Sequence, residues 1–163
     1  MKTGLVHRIA LLLLLVCGSL NAAPPEDYAF LPLDEALQSA SAQGKPTLLY
    51  FGRYGCTTCR KMHAEVFTDP ALKQALHRDF ALAYVDTESG NRIRLPNGER
   101  TTEMQFASRN RILGTPTFVF FDANQKALFK RSGFQSIEQM QRYGEYVSGG
   151  HYQSQSLDQF LAN

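Results

Sequence analysis

Two of the three cysteines stand together as Cys56-Thr57-Thr58-Cys59. Thiols at this spacing can close a short bridge, supply half of a metal site, or exchange disulfides with another molecule. A closed structural zinc site needs four ligands. There is no second Cys-x-x-Cys pair, and of His63, His77 and His151 only His63 is near in sequence. A purely structural bridge across so short a loop removes little chain entropy. Exchange is therefore the favoured chemistry. A copper-type metal-handling module built on Cys56, Cys59 and His63 stands as the alternative, and a redox-inert binding module as a third reading.

Exchange needs one sulfur that loses its proton readily. The flanking sequence supplies a means. Thr47-Leu-Leu-Tyr-Phe51 is short, apolar and rich in branched and aromatic residues, as a buried strand is. Gly52 and Gly55 break it, and residues 57–67 read as a helix. Cys56 then sits at the exposed end of a helix N-terminus, where free backbone N–H groups and the helix dipole favour a thiolate. Cys59 lies one turn in, within reach of a sulfur bonded to Cys56. Arg53, Arg60 and Lys61 add positive charge nearby.

The remaining elements must hold that junction. Residues 24–32 read as a Pro-rich extended lead-in, and residues 34–43 as a helix ended by Gly44 and Pro46. Asp69-Pro70 is a helix start, with Asp as cap and Pro in the first turn. It opens a second helical segment over 70–77. Residues 80–85 form another buried strand, and residues 87–100 a polar loop or small hairpin carrying Arg92, Arg94 and Arg100. Residues 102–110 suit a helix. Thr117–Phe121 is the strongest strand, returning antiparallel over 127–131. Ser136-x-x-Gln139 is a capping box for a helix to about Val147, and Ser156 caps a short last one. Strand–helix–strand units predict parallel pairing and the final strand pair predicts a hairpin. The expected fold is α/β, one mixed sheet flanked by helices on both faces.

Length, charge and the N-terminus set the compartment. A chain of 163 residues fits one domain. Lys+Arg is 17 and Asp+Glu is 15; setting aside Lys2 and Arg8 leaves 15 against 15, which argues against a nucleic-acid-binding face. Those two cations precede the uncharged run Ile9–Val16 and the small residues Ala22 and Ala23, the parts of a secretory signal peptide. We expect a signal peptide over 1–22 and a single domain over 23–163, with the segment serving as a membrane anchor only if uncleaved. Cys17 falls within the discarded part.

Gly114-Thr115-Pro116-Thr117 precedes the strongest strand, at a place where an X-Pro bond can be cis. Together with Tyr50-Phe51-Gly52-Arg53-Tyr54-Gly55-Cys56-Thr57-Thr58-Cys59 it resembles the thioredoxin fold, over roughly residues 33–148. The run from Cys56 to Pro70, the Asn97-Gly98 insertion and the Tyr146 to Tyr152 tail are similar to exported SoxW-type thioredoxins. Phe67-Thr68-Asp69-Pro70 also resembles the C-terminal thioredoxin domain of DsbD. The resemblance implies attack by Cys56, resolution by Cys59 through a redox-active disulfide, and a cis-Pro at Thr115-Pro116 facing the pair. Backbone groups of Thr115 would pair with an extended stretch of substrate, and Tyr54 beside the cysteines would contact it. It further implies a protein-disulfide reductase acting on disulfide-bearing periplasmic proteins, fed by a membrane thiol carrier, monomeric and without cofactor or metal. Oxidase or isomerase activity on the same fold remains open. Two departures stand out. Thr57-Thr58 replaces the usual Gly-Pro, and Tyr50 occupies the place of a buried acid six residues before the first cysteine. His63 shares a helix face with Cys59 and is the candidate proton relay.

Overall fold

Side-chain alternation along β1 (Thr47–Gly52) decides how the layers form. Leu48 and Tyr50 pack into one apolar cluster and Leu49 and Phe51 into another, so the strand is buried on both faces. The structure, a computed structural model, describes residues 24–163. The expected signal peptide, with Cys17, lies outside the described residues.

Beside β1 run β2 (Ala81–Asp86), β5 (Thr117–Phe121) and β6 (Ala127–Ser132), in the order β2-β1-β5-β6. β1 and β2 are parallel, with Tyr50 opposite Tyr84. β5 is antiparallel to β1, with Tyr50 opposite Phe118, and β6 is antiparallel to β5. The sheet is mixed, as expected, but the strand–helix–strand rule fails for β2 and β5. Their connection holds the small sheet β3 (Arg92–Arg94) and β4 (Arg100–Thr102) and then α4 (Glu103–Arg109). That length of chain lets β5 enter from the opposite end, on the far side of β1. The polar stretch expected as loop or hairpin is therefore a hairpin, pinned by the buried Ile93.

Helices cover both faces. α1 (Leu33–Gln43) and α4 share a cluster with Leu49, Phe51, Val85 and Val119. α2 (Thr57–Glu65), α3 (Pro70–Asp79), α5 (Ile137–Ser148) and α6 (Leu157–Leu161) close over Leu48, Tyr50, Phe118 and Phe120. The starts of α3, α5 and α6 follow the caps expected from sequence. Asp69 accepts from Leu72 N–H at 2.7 Å, and Ser136 and Gln139 form a reciprocal capping box. α2 ends at Glu65, two residues early, because the chain turns through Val66 to reach the Asp69 cap. The lead-in is only partly extended: a 3-10 turn spans Glu26–Tyr28, and Leu31 then bridges to Ala83 at the edge of β2. Among the described residues no helix is long and apolar enough to cross a membrane.

Candidate functional site

The site is built where β1 gives way to α2. Gly52 ends the strand because the Tyr84 ring occupies the space of a side chain. A Cβ there would lie 2.8 Å from Tyr84 Cε2 and 2.9 Å from its hydroxyl. Gly52→Ala is expected to lower stability by about 1–3 kcal/mol through overpacking, read as the free energy of urea unfolding. An unchanged unfolding curve would show that the ring moves freely. Gly55 adopts φ +71°, a left-handed turn that directs the chain into the helix.

Cys56 is the N-cap of α2. Its Sγ accepts from the Cys59 N–H at 3.0 Å. That bond uses one of the free donors at the helix start and would stabilise negative charge on sulfur in the reduced state. The two sulfurs are joined in a disulfide, with Cα atoms 5.2 Å apart. From the other side, Thr115 presents its carbonyl oxygen 3.4 Å from Cys56 Sγ, at the start of β5, and the Thr115–Pro116 peptide is cis. The loop before β5 and the turn before α2, 59 residues apart, thus meet at one sulfur.

The expectation that Cys56 is exposed needs correction. Its position ends the helix, but the residue is only 4% exposed and Cys59 is fully buried. The Thr115 loop, the following helix turn and the core close over them. The accessible groups are Tyr54, 60% exposed two residues before Cys56, and Leu113, 97% exposed two residues before Thr115. Leu113 has no signal in the sequence beyond its place next to Gly114. The surrounding positive charge is partly spent: Arg53 pairs with Glu88 at 3.1 Å, while Lys61 lies over the Phe134 ring and near Glu65.

His63 lies on α2, one turn beyond Cys59, and is half-buried. Its Nε2 is hydrogen-bonded to the Tyr50 hydroxyl at 2.8 Å, and its ring stacks on Phe67. Burial holds its pKa below the ordinary histidine value, so the imidazole is neutral near pH 7. Burial likewise pushes the Tyr50 phenol far above its usual range, keeping it protonated. His63 Nε2 is bonded to Tyr50, and no cluster of three metal-ligating side chains occurs among the described residues.

Known proteins are similar to this chain in sequence and fold. Residues 33–148 match the sequence family described as a thioredoxin-like domain. The thiol:disulfide interchange protein DsbD of Salmonella paratyphi A is 28% identical over 133 residues, covering 71% of this chain and 22% of DsbD. The chain thus spans about a fifth of the length of that relative. A thioredoxin-fold protein from Helicobacter pylori superposes with a TM-score of 0.63 at 20% identity, covering 89% of this chain and 88% of that one. A thioredoxin from Thermus thermophilus gives 0.60 at 27% identity over 72% of this chain and 85% of that one. A buried Cys-x-x-Cys disulfide at a helix start, facing a proline loop, has thiol–disulfide exchange as its chemistry, and the chain belongs to the thioredoxin-like family.

Proposed function

We propose that this chain is an exported thiol–disulfide oxidoreductase that reduces disulfides of periplasmic proteins. The observation that carries the reading is the position of Cys56 Sγ: capped by the Cys59 N–H, bonded to Cys59, and 3.4 Å from the Thr115 carbonyl. In the reduced state the Cys56 thiolate attacks one sulfur of a substrate disulfide. One substrate thiolate leaves, and a mixed disulfide forms. Cys59 gives up its proton and attacks Cys56 Sγ. The Cys56–Cys59 bond forms, the second substrate thiolate leaves, and two electrons have passed to the substrate. An extended substrate strand lies along the Thr115–Pro116 backbone, with Tyr54 as a side-chain contact. The chain acts as a monomer of one thioredoxin-like domain over residues 23–163, after removal of a signal peptide. Similarity to DsbD supports a membrane thiol carrier as electron donor.

His63 receives the Cys59 proton. His63→Ala is expected to slow disulfide reduction near pH 7 by about tenfold, the equivalent of one pKa unit at Cys59. An unchanged rate and pH profile would remove His63 from the mechanism. Direction is tested by equilibrating the Cys56–Cys59 pair against a glutathione buffer series. A potential near the thioredoxin value of about −270 mV supports reduction, and one near the DsbA value of about −120 mV reverses it.

A further inference from the structure

Arg111 holds a backbone conformation that a side chain disfavours. The chain leaves α4 through Asn110 and Arg111, with Arg111 at φ +54° in the left-handed region. The Arg111 N–H donates to the Ser108 carbonyl at 2.9 Å, and the Ile112 N–H to the Ala107 carbonyl at 3.1 Å. This is the bond pattern of a Schellman helix end, whose left-handed position usually takes glycine because a Cβ is strained there. Among the described residues two other non-glycine residues have positive φ, Ala29 and Gln125. Ala29 lies between the stacked rings of Tyr28 and Phe30, and the Gln125 side chain accepts from the Thr47 hydroxyl at 3.0 Å. The Arg111 side chain is exposed and makes no hydrogen bond or ion pair among the described residues. Nothing within the described chain accounts for an arginine at this turn.

We propose that Arg111 selects substrate: its guanidinium binds a carboxylate side chain of the disulfide-bearing protein, within about four residues of the cysteine that Cys56 attacks. This rests on the exchange reading above and names the substrate class for that site. The placement follows from the loop. Arg111 stands four residues before Thr115, whose carbonyl lies 3.4 Å from Cys56 Sγ, and Leu113 between them is 97% exposed. Four residues of chain span at most about 14 Å, and an extended partner rises about 3.3 Å per residue. A partner strand running from Thr115 toward the end of α4 passes within reach of a long side chain at Arg111.

The charge around the loop is unbalanced in the same sense. Lys130 on β6 reaches across to donate to the carbonyls of Asn110 at 3.4 Å and Arg111 at 3.1 Å, which fixes the helix end and brings a second cation to it. Nearby cations are matched: Arg109 pairs with Glu99, and Arg131 with Asp158. Among the described residues no carboxylate bonds to Arg111 or Lys130. A planar guanidinium left unpaired on an exposed loop suits a carboxylate, which it can hold through two N–H groups. An exposed pair of this kind is weak and screened by salt. It acts on encounter and binding, not on the sulfur chemistry.

The test uses full-length reduced chain carrying Cys17→Ser, and extended peptides whose single cysteine is held as a mixed disulfide with 2-thiopyridine, a neutral leaving group. The Cys56 thiolate attacks the peptide sulfur, the Cys56–peptide disulfide forms, and thiopyridone departs with a change in absorbance that gives the second-order rate constant. The peptides carry Asp, Asn or Lys at successive positions on either side of the cysteine. At one or two adjacent positions we expect the parent to react about tenfold faster with Asp than with Lys, a preference that fades at about 0.5 M salt. Arg111→Gln should remove the preference and Arg111→Glu should invert it, while all three chains react alike with the Asn peptides. Arg111→Gly should also lose it, yet unfold at no lower urea concentration than the parent, because glycine suits the left-handed turn. A parent that does not prefer Asp to Lys, or an Arg111→Glu chain that keeps the parent's preference, overturns the proposal. So does an Arg111→Glu chain slowed alike with every peptide, since its charge would then act on Cys56 and not on substrate. Each of these leaves the exchange reading standing. That reading fails instead if the parent reacts with the Asn peptides no faster than free cysteine does at the same pH.

Discussion

Cys56→Ser is expected to reduce turnover of a disulfide substrate by on the order of 10³-fold or more, because a hydroxyl at this helix start is not ionised near neutral pH and cannot replace the thiolate nucleophile. Cys59→Ser should behave differently. Cys56 keeps its helix N-terminus and its attack, but nothing resolves the product. The Cys59 N–H that caps Cys56 Sγ at 3.0 Å is a backbone group and survives the change. A stable mixed disulfide with substrate should therefore accumulate to near stoichiometry, visible as a mass increment on Cys56 that thiol reductant removes. The pair of variants assigns the order of events. If Cys56→Ser retained activity, or if the trapped sulfur were Cys56 in neither variant, the roles would be reversed or absent. The burial of both residues sharpens the prediction. With Cys56 only 4% exposed, attack requires substrate to seat between the Tyr54 and Thr115 sides, so small thiol reagents should report a smaller difference between variants than protein disulfides do.

What the sequence revealed depended on how local the cause was. Asp69-Pro70 and Ser136-x-x-Gln139 set helix starts through bonds spanning three residues, and both appear as read. The Cys-x-x-Cys pair lies at a strand–helix junction for equally local reasons: an apolar run, two glycines and a helical stretch. The direction of β5 is not local. It depends on the whole segment from Thr87 to Pro116, whose hairpin and short helix carry the chain to the far side of β1. The burial of Cys56 is likewise a property of two loops meeting. It needs the Thr115 carbonyl to arrive from 59 residues away. The partner of His63 lay between these cases. Helical spacing placed His63 on the Cys59 face, and the departure at Tyr50 was visible as an unusual residue. That the two rings meet edge to face, with oxygen and nitrogen 2.8 Å apart, follows only from how α2 settles on β1.

Phe120→Ala should have the largest effect on stability among the single core truncations of β5, at about 3–5 kcal/mol. Phe120 is fully buried and central to the cluster beneath α3 and α5. It stacks on Phe129 of β6 with ring centroids 4.7 Å apart, and meets Phe80 and Tyr143 edge-on at 5.8 Å and 6.1 Å. Removing the ring leaves a cavity bounded by rings that cannot collapse into it without displacing β6 or α5. Urea unfolding should show the loss with the slope of the transition unchanged, in both the oxidised and reduced protein. A loss under about 1 kcal/mol would mean that the aromatic layer repacks. The site offers the contrasting measurement. Cys56 and Cys59 are held by the β1–α2 junction and by Thr115 at the start of β5, whereas Phe120 lies further along that strand, facing α3 and α5. The folded fraction of the variant should therefore reduce a disulfide substrate at the rate of the parent. Stability and reactivity then separate, because the sulfur chemistry is set at the end of the sheet while the free energy of folding is concentrated under its centre.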